Sequence, residues 1–113
     1  MSLVYIVVGS AEANVGVIRG KAVYYSNAYV GQKMACGGRY RRWKMITANR
    51  HLPCGTRLRV TNKRNGRKVT VRVEDRGPYG DSSIRLDLSR RAAKRLRFLH
   101  RGITRIRARI LSN

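Results

Sequence analysis

Leu52-Pro-Cys-Gly-Thr-Arg-Leu-Arg-Val-Thr-Asn-Lys-Arg-Asn-Gly-Arg-Lys-Val-Thr-Val-Arg-Val-Glu-Asp-Arg-Gly-Pro-Tyr79, closing on Leu86-Asp-Leu-Ser89, is the stretch that decides the fold. Leu58 and Val60 alternate with Arg57, Arg59 and Thr61, and Val69, Val71 and Val73 alternate with Thr70, Arg72 and Glu74. A period of two marks half-buried strands. Asn65-Gly66 lies between them and suits the positive φ angles of a tight hairpin turn. If the second strand keeps its phase, Asp75 follows the valines onto the inward face, beside the turn forced by Gly77-Pro78. Glu74 then points outward and Asp81 sits in a loop.

Working outward, Gly20-Lys-Ala-Val-Tyr-Tyr25 reads as a first strand, with Val23 and Tyr25 on one face and Ala22 and Tyr24 on the other. Residues 26–38 are loop-like, and Met45 to Ala48 is a short strand. Tyr40-Arg-Arg-Trp-Lys44 combines cations and rings, which suits sugar rings or bases; the competing reading is an exposed loop anchored by Trp43. Ser89 caps a short helix whose apolar stripe is Ala92, Ala93 and Leu96. Gly102 ends the connector to a last strand, with Ile106, Ala108 and Ile110 inward. The elements predict a small closed β-barrel with one short helix.

The 113 residues fit one domain. A formal charge of +21, from 26 basic against 5 acidic residues, predicts an anionic polymer or surface as partner. The cations are spread from Arg19 to Arg109, which also fits a solvated basic shell. Cys36 and Cys54, each followed by Gly, favour a disulfide over free thiols, and zinc-finger spacing is absent. Leu3 to Val8 is apolar, and Ala11-Glu-Ala13 resembles an export-cleavage site. Residues 1–19 therefore read as a truncated leader or extension, with a buried first strand as the alternative, and the domain as 20–112. No segment is long enough to span a membrane.

These residues resemble the double-psi β-barrel domain of the rare lipoprotein A (RlpA) family, from about Gly20 to Leu111. The match rests on Gly20-Lys-Ala-Val-Tyr-Tyr25, Thr47-Ala-Asn49, Leu52 to Asn62, Asn65-Gly66, Asp75-Arg-Gly-Pro-Tyr79 and Leu86-Asp-Leu-Ser-Arg-Arg-Ala-Ala93. The resemblance implies a mainly β, six-stranded double-psi barrel with one or two short helices. It implies a septal peptidoglycan lytic transglycosylase that cleaves peptide-stripped glycan strands, leaving 1,6-anhydro-N-acetylmuramic acid ends. Expansins and barwin-like proteins share this barrel, and many bind glycans without cleaving them. The family acid of Asp-Arg-Gly-Pro falls on Asp75. Its Glu position is filled by Gly38, and its His position by Asn49, with His51 next to Leu52. The two cysteines fit a disulfide-bearing branch.

The expected catalytic residues are thus Asp75 and His51, and the expected substrate-binding residues are Tyr25, Asn49, Arg76, Tyr79 and Trp43. No metal or other cofactor is expected, since the sugar's own C6 hydroxyl attacks C1. A carboxyl group can protonate the leaving oxygen and then take up the hydroxyl proton. Nearby Arg72 and Arg76 favour Asp75 as a base or electrostatic stabiliser; a turn cap paired with an arginine is its structural alternative. Asp87 is expected to be structural, holding backbone N–H groups near Ser89. The free lactyl carboxylates of stripped glycan match a basic groove. The expected protein is an extracytoplasmic monomer working on peptidoglycan. The rivals are a binding-only barrel and, less favoured, a nucleic-acid-binding barrel.

Overall fold

The computed structural model describes residues 16–112, and within them the alternating stretch folds as the hairpin of β3 (Arg57–Asn62) and β4 (Lys68–Asp75). Val60 faces Val69 and Leu58 faces Val71 across it. The connection is longer than a tight turn. The Asn65 and Gly66 N–H groups both donate to the Asn62 carbonyl, and of the two only Gly66 has a positive φ, at 79°. The Asn62 side chain closes the loop, its Oδ1 accepting from Arg64 N at 3.0 Å and Thr104 Oγ1 at 2.8 Å.

The other strands are β1 (Val17–Tyr24), β2 (Ile46–Ala48), β5 (Ile84–Leu88) and β6 (Thr104–Ser112). They close a barrel in the order β1-β5-β2-β4-β3-β6, with β1/β5 and β2/β4 parallel and the other pairs antiparallel. β1 begins at Val17, three residues before the expected Gly20, because Val17, Ile18 and Arg19 pair with Arg109, Ala108 and Arg107 of β6. Leu3 to Val8 and Ala11-Glu-Ala13 lie outside the described residues.

Inside the barrel, Ile18, Ala22, Leu58, Val60, Val71, Val73, Leu86, Leu88, Ile106 and Ala108 form one core. Each large aliphatic side chain so buried is worth about 1.5–3 kcal/mol. The helix α1 (Arg90–Arg95) adds Ala92 and Ala93, and Leu96 follows at its C-cap. Ser89 is its N-cap, its hydroxyl accepting from Ala92 N at 3.4 Å. Among the described residues no helix is long and apolar enough to cross a membrane.

Residues 25–45 form a cover outside the barrel. A 3-10 turn (Asn27–Tyr29) opens it, and a bridge between Lys33 and Arg39 folds it back on itself. Under it Tyr25, Met34, Tyr40, Ile46 and Ala48 make a second apolar cluster. A Cys36–Cys54 disulfide ties the cover to the start of the hairpin, with Cα atoms 5.8 Å apart. Closing a loop of this length stabilises the fold by about 3 kcal/mol.

Candidate active site

The site is made by a change of strand phase. Thr47 of β2 pairs with Val73 of β4, but the next residue, Ala48, pairs with Asp75. Glu74 is therefore an extra residue, a bulge that shifts the alternation by one. Asp75 leaves the face of the valines and joins that of Ala48, outside the barrel core. This overturns the inward position expected from simple alternation. Ala48 also pairs with Asp87 of β5 on its other side. Two carboxyl-bearing residues thus flank one alanine across three adjacent strands, with Cα atoms about 10 Å apart from strand spacing alone.

Asp75 is held from three directions. Its Oδ2 accepts from the Tyr25 hydroxyl at 2.5 Å, and its Oδ1 accepts from Ala35 N at 2.8 Å and Arg76 N at 2.9 Å. The cover supplies Ala35, and the neighbouring Cys36 N donates to the Glu74 carbonyl. The disulfide therefore fixes the segment that grips Asp75. A carboxylate has about four acceptor positions, so one remains open. The Tyr25 ring stacks on Tyr40 at 4.4 Å and meets Tyr29 edge-on at 5.8 Å. Burial first, then the bond to Asp75, pushes the Tyr25 phenol far above its usual pKa, so it remains a donor.

Asp87 lies between Leu86 and Leu88, which point into the core, and so faces the same outer surface. Its Oδ1 is buried and has no hydrogen-bond partner among the described residues. Burial, and secondarily the charge of Asp75, raises its pKa from 3.8 to about 6. At the helix start Ala92 N donates to the Ser89 hydroxyl, as expected, while Asp87 Oδ1 takes no backbone N–H there. A buried carboxylate oxygen without a partner is costly, which favours the protonated form. The legible signal was an acid placed between two core leucines in a strand.

The other expected residues divide. Asn49 is buried: its Nδ2 donates to the Arg85 carbonyl, and its Oδ1 accepts from His51 N and Leu52 N. The Arg76 guanidinium clamps the loop before β3, donating to the carbonyls of Asn49 at 3.1 Å and Leu52 at 2.8 Å. Both side chains thus help to build the site's walls. Asp75 itself forms no ion pair with Arg76; only the backbone N–H of Arg76 reaches it. His51 is exposed, two residues beyond Asn49. Among the described residues Trp43 and Tyr79 are the most exposed large hydrophobics, at 65 % and 74 %, whereas Tyr40 of the expected basic-aromatic patch is buried. Tyr40 instead becomes a wall of the site, its hydroxyl accepting from Arg90 N at 3.1 Å. Gly38 has φ +74°, a backbone region that resists a Glu. Among the described residues no group of three or more His, Cys, Asp and Glu side chains could hold a metal ion.

Residues 17–108 match the family model described as "Lytic transglycolase". The chain belongs to the lytic transglycolase family. A curated relative, the probable endolytic peptidoglycan transglycosylase RlpA of Aquifex aeolicus (strain VF5), is 45 % identical over 94 residues, covering 83 % of this chain and 41 % of the relative. The chain spans less than half the length of such RlpA relatives. Among solved structures, the Streptomyces papain inhibitor is similar at TM-score 0.67 and 28 % identity, over 84 % of this chain and 94 % of that one. A point mutant of Clavibacter michiganensis expansin, in complex with cellohexaose, is similar at TM-score 0.66 and 25 % identity, over 84 % and 50 %. These neighbours identify the closed six-stranded ring of this lytic transglycolase domain as a double-psi barrel.

Proposed function

We propose that this domain is an endolytic peptidoglycan lytic transglycosylase acting on peptide-stripped glycan outside the cytoplasm. The observation that carries the reading is the pair of carboxyl groups flanking Ala48, one raised to about 6 and the other gripped by three donors. Two carboxyls in unlike environments suit the acid and base halves of one reaction. Asp87, protonated near pH 6, gives its proton to the leaving glycosidic oxygen as the C1–O bond breaks. The C6 hydroxyl of the same sugar closes on C1, and its proton passes to the open position on Asp75. No water enters the product. Trp43 and Tyr79 offer ring faces for the flanking sugars, and His51 a polar contact at the rim. The disulfide supports an oxidising compartment, and family membership supports the substrate class.

The test is digestion of peptide-stripped peptidoglycan by the purified protein, with mass analysis of the fragments. Chains ending in 1,6-anhydro-N-acetylmuramic acid, one water lighter than hydrolysis products, are expected. A second reading, glycan binding without cleavage, is favoured by Gly38, whose positive φ and missing side chain leave the family Glu position empty. Retention of the glycan with no fragment released would establish that reading and remove the first.

A further inference from the structure

The arc of the ring away from Asp75 and Asp87 carries a face that the glycan reading does not use. On β6, Ile106 and Ala108 are buried while Arg105, Arg107 and Arg109 are exposed. Register sets Arg107 opposite Arg19 and Arg105 opposite Lys21 on β1, and Arg109 opposite Arg59 on β3. Opposed residues stand about 5 Å apart, and alternate residues of one strand about 7 Å apart. Like charges so paired destabilise a sheet. Two grooves score this surface. One, of about 410 Å³, is lined by Val17, Thr61 and five cations, among them Arg19, Arg59 and Arg107. The other, of about 450 Å³, is lined by Ile103, Thr104 and five more, among them Lys21 and Arg105. Neither lining includes an acidic or an aromatic side chain.

We propose that the outer face of β1, β6 and β3 binds a phosphodiester polymer of the cell envelope, separately from the carboxyl site. The guanidinium fork matches phosphate in two parallel hydrogen bonds. A phosphodiester chain carries a charge on every repeat, close to the dense cation rows; stripped glycan carries one on every second sugar. The missing rings argue against stacked sugars or unpaired bases as the occupant, because stacking platforms are aromatic. The disulfide fits an oxidising compartment, away from cytosolic nucleic acid. None of this depends on whether the domain cleaves glycan.

The test measures binding of the whole chain to poly(glycerol phosphate) over a salt series, against the triple variant Arg19→Thr, Arg107→Thr and Arg109→Thr. Threonine suits an exposed strand position. Wild-type binding should weaken steeply with salt, and the variant should bind at least about tenfold more weakly at low salt. Its slope of log affinity on log salt should be shallower by about two, from about 0.7 per lost contact. Circular dichroism should show an intact fold. If the triple variant does not fold, Arg107→Lys keeps the charge but loses the fork, and a several-fold loss is expected. Unchanged affinity in the folded variants overturns the proposal. So does equal binding of poly-glutamate, which would reduce the face to bare charge, or tighter binding of duplex DNA, which would assign it to nucleic acid.

Discussion

The two arcs of this barrel present opposite chemistry on one hydrogen-bonded ring. Around β2, β5 and the Asp75 end of β4, residues 25–45 lie over the outer face, which holds two carboxyls beside tyrosines. Along β1, β6 and β3 no described residue covers it, and it carries exposed arginines opposed to arginines. Both arcs send alternate small and branched side chains into the same core. The cover and the bulge make the difference. A register shift turns Asp75 outward, the cover desolvates what lies beneath it, and an acid there changes its proton affinity. Cations on the bare arc remain in water, where their cost is mutual repulsion rather than burial.

The largest expected effect comes from the covered arc. Asp75→Asn should lower cleavage of stripped glycan by at least about a hundredfold, the low end for general acid–base catalysis. The fold should survive, because the Asn oxygen can still accept from Ala35 N and Arg76 N, and its amide can donate to the Tyr25 hydroxyl oxygen. Specific activity per folded molecule, checked by circular dichroism, reads the effect. Unchanged activity would leave the covered arc a binding surface and erase the chemical half of the contrast.

Asp87 gives the next effect, on pH. Its pKa in the fold is raised, to about 6, chiefly by burial. As the proton donor it should impose a limb on kcat/KM, with activity falling about tenfold per unit as pH rises above about 6. The stability sign is opposite to that of a salt-bridged acid. Between about pH 4 and 6 the folded state binds the extra proton, so this group's contribution falls as pH rises, by about 3 kcal/mol in all. Asp87→Asn should therefore lose activity yet be the more stable protein at pH 7 and no more stable at pH 3.5, read by urea denaturation at both. A pH-independent difference would mean that Asp87 does not change its proton affinity on folding.

The parts read from sequence are those set by nearest neighbours. The strands of the hairpin, the Ser89 cap and the alternation of Ile106 and Ala108 follow from local period and turn chemistry. Asp75 on its outer face does not, since the bulge at Glu74 depends on pairing with β2, distant in the chain. Asn49 and Arg76 look like free polar groups in a list of residues, yet their side chains are committed to backbone groups of Arg85, His51, Leu52 and Asn49 itself. Tyr40 sits in a basic run that reads as surface, but Tyr25 offers it a stacking partner and it turns inward. Asp87 lies two residues before a helix cap and reads as part of it. Its alternation with Leu86 and Leu88 turns it outward, but its place beside Asp75 emerges only when Ala48 pairs with both.

The smallest expected effect belongs to the bare arc, and its sign sets the two arcs apart. Arg107 opposes Arg19 across β1 and β6, both exposed. Replacing Arg107 by Thr removes one member of a like-charge pair and keeps strand propensity. The protein should gain stability, by a few tenths to about 1 kcal/mol at low salt. Adding salt should shrink the gain, since at about 1 M the screening length falls to about 3 Å, below the spacing of the pair. A double-mutant cycle with Arg19→Thr, followed by urea denaturation at low and high salt, isolates the pair from the remaining cations. A coupling that is repulsive and fades with salt is expected. An attractive coupling, or one indifferent to salt, would show that the guanidinium groups stack or share a bound anion, and the bare arc would then no longer be a surface held open by repulsion.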